Sequence, residues 1–249
     1  MATCKVIIAD GLATEGTSRL KDTPGIELIE HKDISREDLK KILGGVDILI
    51  VRSRTQVDKD LLASAPNLKL AIRAGIGLDN IDVAAATDRG VVVMNAPTGN
   101  IVTTAEHALA LLFSISRRIP EADATLRAGK WEKKKFQGSE LRNKVVGVLG
   151  LGNIGKAFAE RALGLKMKVL GFDPYLSAEA AAKYGVELLP LDEVLAKSDY
   201  ITVHVPLIPA TKGLLNRETI AKMKKGAYLI NCARGGIVDE SALVAPERD

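Results

Sequence analysis

The sequence predicts an α/β protein built from doubly wound parallel sheets. Two observations predict it. Short apolar runs rich in Val and Ile alternate with helical stretches along almost all of the 249 residues. Gly or Pro punctuates most junctions between them. Continuous rather than alternating apolar strands imply sheets covered on both faces.

The first series of strands is expected at Lys5–Ala9, Ile26–Ile29, Val46–Val51, Leu68–Ile72 and Val91–Met94. Helices are expected between them at Ser35–Leu43, Asp58–Ser64 and Asp82–Arg89, the first with Ser35 as its N-cap. Pro97, Gly99 and Asn100 mark a hinge. Thr103-Thr104-Ala105-Glu106 then reads as a capping box opening a long apolar helix to about Ser116, closed by Arg117 and Arg118. Apolar residues lie almost all round this helix, which implies burial between domains or subunits. A second series follows, with strands at Val145–Leu149, Lys168–Phe172, Tyr200–Val205 and Ala227–Asn231. A last helix is expected near Ser241, running into Pro246 within two turns. Two domains result, 1–99 and 100–249.

Composition narrows the function classes. Charged residues are 27%, hydrophobic residues 47% and aromatics 4%, so the chain is globular with an aliphatic core. The formal charge of +4 suits small anionic partners better than nucleic acid. Two distant cysteines, Cys4 and Cys232, make no disulfide framework. The longest apolar stretch, 108–115, is far shorter than a membrane span, and the N-terminus lacks a signal-peptide pattern. A reduced, cytoplasmic setting is expected, with no membrane or nucleic-acid partner and no metal site.

The strand Val145–Leu149 runs directly into Gly150-Leu151-Gly152-Asn153-Ile154-Gly155 and a helix. Three glycines in this spacing permit a tight turn, close approach of backbone to a pyrophosphate, and close helix–strand packing. The helix N-terminus offers N–H groups and positive partial charge to the phosphates. The next strand ends beside Asp173, 18 residues past the last glycine (173 − 155 = 18), where a ribose-binding acid belongs. Its carboxylate would repel a 2′-phosphate, so NAD is expected over NADP. A turn without a ligand is the plainer alternative, but strand, glycines, helix and acid are all in place. Asn231-Cys232-Ala233-Arg234-Gly235-Gly236 follows the last strand. The small neighbours are expected to leave the Arg234 guanidinium free to grip a carboxylate in a bidentate fork.

The chain resembles the D-2-hydroxyacid dehydrogenase family and, within it, the enzymes that act on 3-phospho-D-glycerate. Segments carrying the resemblance are Arg52-Ser53, RAGIGLDNID at 73–82, NAPTGN at 95–100, AEHALALL at 105–112, GKWEKKKFQGSEL at 129–141, VLGLGNIG at 148–155, FDPY at 172–175, ITVHVPL at 201–207 and NCARGGIVDE at 231–240. The stretch around Trp131 and Phe136 is the most specific of these. The resemblance implies a flavodoxin-like N-terminal substrate domain, an NAD-binding Rossmann domain after about Asn100, and NAD-dependent oxidation to 3-phosphohydroxypyruvate, the entry to serine biosynthesis. It makes Arg234 the catalytic arginine. It places Ile76, Gly150, Gly152, Asn153, Ile154, Gly155, Asp173, Val205, Cys232 and Ala233 around the cofactor, and Arg52, Ser53, Arg73, Ala74, Gly75 and Asn100 along the substrate crevice. It implies a homodimer in which Lys133–Lys135 approach the partner's phosphate site; a solvated charge run is the alternative reading.

In the family the base that takes the hydroxyl proton is a histidine paired with a glutamate, both beyond the NCARGG segment, and neither occurs in these residues. The expectation is therefore a C-terminally incomplete dehydrogenase, inactive alone; the alternatives are a non-catalytic NAD-binding sensor or corepressor-like protein, or a dehydrogenase for another D-2-hydroxy acid. Of the histidines present, His31 has no expected role and His107 is expected to be packed structurally at the domain junction. His204 stands at a strand's carboxyl end but is not the family's base.

Overall fold

The computed structural model describes residues 3–243. The chain divides into two units, Met1–Asn100 and Ile101–Asp249.

In the first unit, strand β1 (Cys4–Ile8) is followed by α1 (Thr14–Lys21), β2 (Ile26–Glu30), α2 (Arg36–Ile42), β3 (Ile48–Val51), α3 (Lys59–Ala63), β4 (Leu70–Arg73), α4 (Val83–Asp88) and β5 (Val92–Asn95). All pairings are parallel and the spatial order is β2-β1-β3-β4-β5. The chain winds from β1 to one side and then from β3 to the other. The gap between the carboxyl ends of β1 and β3 is therefore the switch point where such sheets bind ligands. Adjacent β1 residues face opposite cores. Ile7 packs with Leu49, Leu61 and Leu62, whereas Val6 and Ile8 pack with Ile50 and Leu20. Helices start where the sequence offers caps: Ser35, Asp58 and Asp82 accept from the backbone N–H of Asp38, Leu61 and Ala85. Coverage is incomplete at the β5 edge, where Val92 and Met94 are 58% and 52% exposed, against the expectation of a sheet covered on both faces.

In the second unit, α5 (Ile101–Arg117) and α6 (Ile119–Arg127) precede β6 (Val145–Leu149), α7 (Asn153–Gly164), β7 (Lys168–Phe172), α8 (Ala178–Ala182), β8 (Glu187–Leu188), α9 (Leu191–Lys197), β9 (Tyr200–Val203), α10 (Arg217–Ala221) and β10 (Tyr228–Asn231). Again all pairings are parallel, in the order β10-β9-β6-β7-β8, with the switch point between β6 and β9. One face of the sheet packs Val146, Val148 and Val169 against Ala105, Ala108 and Leu112 of α5 and Phe158 of α7. The other packs Leu149, Leu170, Ile201 and Val203 against Val194 and Leu195 of α9.

The expected cap at Thr103 is corrected. The long helix begins at Ile101, straight out of the turn at 97–100, so Thr103 lies inside its first turn and is not a cap. The same helix buries one stripe, Ala105, Ala108, Leu112 and Ser116, while Val102, Leu111 and Phe113 stay exposed. The helix ends as expected at Arg117 and Arg118; Arg118, left-handed at φ 52°, turns the chain into α6. Pro120 sits in the first turn of α6, where it sacrifices no helical hydrogen bond. At the far end, a short 3₁₀ turn covers Glu240–Ala242, and Pro246 lies outside the described residues.

Candidate functional site

The carboxyl end of β6 turns at Gly150, whose φ is +92°. A Cβ there would stand 2.8 Å from Val205 Cγ1 and 2.9 Å from the His204 carbonyl, so only glycine lets the turn pass beneath the strand end of β9. At Gly155 a Cβ would lie 2.0 Å from the Gly150 carbonyl oxygen, which fixes glycine where α7 meets the loop. At Gly152 the missing Cβ would point into open space. Gly152 is also the N-cap of the 12-residue α7 and supplies no side-chain acceptor. The result is a bare helix N-terminus with room above it for an anionic group. Asn153 is exposed and Ile154 half-buried on its first turn.

Asp173 follows β7 and closes this loop from the side. Its Oδ2 accepts from the Leu151 N–H at 2.8 Å and its Oδ1 from the Tyr175 N–H at 2.9 Å. An ionised carboxylate has about four acceptor sites, so each oxygen retains capacity for a ribose hydroxyl. Val205 is buried against Gly150. His204 beside it is held by its backbone N–H to Leu149 O (2.8 Å). The His204 ring packs 5.5 Å from Phe158, its Nε2 lies 3.0 Å from Thr202 Oγ1, and burial lowers its pKa to about 4. The ring is neutral at ordinary pH and a poor base.

After β10 the loop is shaped by Asn231. Its side chain accepts from the Ala233 N–H and donates to the Arg234 carbonyl, both at 3.0 Å. A cavity of about 590 Å³ lies over this loop, walled by Thr103, Thr104, His107 and Leu111 of α5 and by Asn231, Cys232, Ala233, Arg234, Gly235 and Glu240. Burial raises the Cys232 thiol pKa, so it is protonated here. The expectation of a free Arg234 guanidinium is corrected. The side chain is half-buried and Nη1 donates to the Ala233 carbonyl at 2.8 Å, because a five-donor fork among small residues can fold back onto its own turn. His107 is exposed on α5, on the wall of this cavity. Lys133–Lys135 are exposed on a short 3₁₀ turn, with Lys135 paired to Glu132.

In the first unit, Arg52 and Ser53 follow β3 at the switch point, with exposed side chains. Together with Asp10, Lys32, Asp33 and Arg54 they line a polar cavity of about 390 Å³. Arg73 ends β4 and is buried, its Nη1 on Asp79 Oδ1 at 2.9 Å. Ala74 and Gly75 continue that edge, the first through its N–H to Val51 O (2.8 Å) and the second through its carbonyl to the Ala96 N–H (3.0 Å). Ile76 lies on the same turn, its carbonyl accepting from Asn95 Nδ2 at 2.7 Å. Asn100 is the exposed last residue of this unit. The second unit thus brings together Gly150, Gly152, Asn153, Ile154, Gly155, Asp173, Val205, Cys232 and Ala233 along one sheet edge. Ile76, expected in that set, stands in the first unit.

Residues 109–246 match the D-isomer specific 2-hydroxyacid dehydrogenase, NAD binding domain. The chain belongs to this family. D-3-phosphoglycerate dehydrogenase of Mycobacterium tuberculosis is 50% identical over 238 residues, 96% of this chain and 45% of its own length. The chain therefore spans about half the length of the curated relatives it matches. Two solved structures share the fold of the family: apo D-lactate dehydrogenase from Escherichia coli (27% identity, TM-score 0.83, 96% of this chain and 77% of that one) and an NAD-dependent formate dehydrogenase from Staphylococcus aureus in complex with NAD (31%, 0.83, 96% and 76%).

The residues present fit the family's NAD. The Gly152 cradle would hold the pyrophosphate against α7, and Asp173 the ribose. Among the described residues no group of three or more His, Cys, Asp or Glu is placed to hold a metal, and no helix is long and apolar enough to cross a membrane. Sequence reading passed over the α5 residues Thr103 and Thr104 on the cavity wall, and also Asp10 and Asn80 of the first unit. For Asp10 a signal was present: like Asp173, it is an acid just past the carboxyl end of an apolar strand.

Proposed function

We propose that the chain supplies the substrate-binding and NAD-binding parts of an NAD-dependent D-2-hydroxyacid dehydrogenase acting on 3-phospho-D-glycerate, with 3-phosphohydroxypyruvate as product. The observation that carries this reading is the carboxyl edge of the second sheet, where the Gly150–Gly155 turn with Asp173 beside it follows β6 and β7 and the Arg234 loop follows β10. Bound NAD supplies a hydride acceptor for the substrate's 2-carbon. Arg234 grips the substrate carboxylate and orients that carbon; its bond to Ala233 O holds the guanidinium at the loop. Arg52 and Ser53, exposed at the switch point of the first sheet, offer a cation and a hydroxyl to an anionic group. Asp173 favours NAD over NADP by charge repulsion. A homodimer accompanies this reading, and exposed apolar side chains such as Ile119, Leu126 and Trp131 offer surface for it. Cytoplasmic location is supported by the two unpaired cysteines.

The alternative is a protein that holds NAD as a sensor without turnover. NADH formation by this polypeptide with NAD and 3-phosphoglycerate separates the two. Turnover establishes the dehydrogenase. NAD binding without turnover, by a chain that also captures a protein partner, establishes the sensor.

A further inference from the structure

The loop between β3 and α3 is held from two sides by buried side chains that belong to other loops. Asp10, just past β1, has a side chain only 4% exposed. Its Oδ2 accepts from the backbone N–H of Arg52 at 2.8 Å and of Thr55 at 3.1 Å. Its Oδ1 accepts from the Thr55 hydroxyl at 2.5 Å and from Arg54 Nε at 3.4 Å. From the opposite side Asn80, 4% exposed, donates Nδ2 to the carbonyls of Arg52 at 2.8 Å and Thr55 at 2.6 Å. The N–H and C=O of the loop's first and last residues are thus all committed to two side chains. The Asn80 Oδ1 is buried without a partner, so its amide is oriented wholly by those two carbonyls.

A surface loop has no need of this for folding alone, because water satisfies exposed backbone groups. Burying a carboxylate is costly, and here it is made tolerable only by donors that all come from residues 52–55. Burial pulls the Asp10 carboxyl up, but the Thr55 and Arg52 hydrogen bonds and the Arg54 charge outweigh it and hold it below the usual carboxylate value. What the clamp fixes is the backbone beneath the exposed Arg52 and Ser53, at the switch point of the first sheet.

We propose that Asp10 and Asn80 are positioning residues for substrate binding: they hold residues 52–55 rigid, so that Arg52 and Ser53 meet an anionic 2-hydroxy acid already in its binding geometry. The inference rests on the reading of Arg52 as a substrate contact. Rigid presentation strengthens binding by removing the ordering cost from the binding step. Neither residue touches the substrate on this account.

The test is calorimetric binding of 3-phosphoglycerate to the protein with NADH present, together with NADH titration and amide exchange of residues 52–55. Asp10→Asn and Asn80→Ala are each expected to weaken 3-phosphoglycerate about tenfold, the effect of losing one or two hydrogen bonds that preset the loop. NADH affinity should stay within about twofold and exchange at 52–55 should quicken while β1 and β3 remain protected. Thr55→Val, which keeps shape and removes one bond to Asp10, should give a smaller loss in the same direction; it decides the matter if Asp10→Asn does not fold. Wild-type 3-phosphoglycerate affinity in these variants, with Arg52→Ala still losing it, overturns the clamp. Wild-type affinity in Arg52→Ala instead overturns the reading on which the clamp rests, and the clamp with it.

Discussion

Acidification should destabilise the protein through His204, and by a calculable amount. The ring is enclosed by Phe158 and paired with Thr202 Oγ1, and burial holds its pKa at about 4 against 6.5 when exposed. Between those values the unfolded chain binds a proton that the folded chain refuses, so stability is full above pH 6.5 and falls as pH drops toward 4. A shift of this size corresponds to a loss of about 2 kcal/mol between pH 7 and pH 5, and about 3 kcal/mol once both states are protonated. Carboxylates with depressed values, such as Asp10 and Asp199, lose their contribution only as pH falls below the ordinary carboxylate range, which separates the two windows. Urea unfolding followed by circular dichroism at pH 7 and pH 5 gives the difference directly. His204→Gln keeps a polar end near Thr202 without a titrating ring, and its loss over that interval should be smaller than the wild type's by about 2 kcal/mol. An identical loss in the two proteins refutes the assignment of a buried, neutral His204.

Three changes test the nucleotide and substrate assignments. Gly155→Ala places a methyl 2.0 Å from the Gly150 carbonyl oxygen, and relieving that overlap should cost about 1–3 kcal/mol of stability and at least about tenfold in NADH affinity. Unaltered NADH fluorescence titration would show that the cradle is not where the pyrophosphate binds. Asp173→Ala removes the acceptor for the Leu151 and Tyr175 N–H groups and the ribose anchor together; NAD should weaken about tenfold or more while 3-phosphoglycerate affinity changes little, and the preference for NAD over NADP should shrink. Arg234→Ala should abolish 3-phosphoglycerate binding in calorimetry and spare NAD, and an equal loss of both would remove Arg234 from the substrate's side of the site.

Strands and helix starts were readable because they depend on neighbours in sequence. The apolar runs at Val145–Leu149 and Lys168–Phe172 became β6 and β7 without a shift, and Ser35, Asp58 and Asp82 cap the helices they precede. The glycine cradle was readable for the same reason: a positive φ at Gly150 and a close packing at Gly155 leave no other residue type possible. Local signals misled where two starts competed. The threonines at 103 and 104 look like a cap, but the turn before Ile101 starts α5 first.

Residue types and spacing alone fixed the fold class and the glycine turn that joins β6 to α7. Strand order in each sheet was left to the tertiary structure, and with it the two switch points at which Gly150 meets Val205 and Asp10 meets Arg52. Also decided there were the orientation of Arg234 and the Asp10–Asn80 clamp. The reason is separation along the chain: Asp10 and Arg52 are 42 residues apart, and Asn80 lies 25 and 28 residues beyond the carbonyls it holds. A hydrogen bond across such distances leaves no periodic trace in the sequence, because it exists only once β1, β3 and β4 lie side by side.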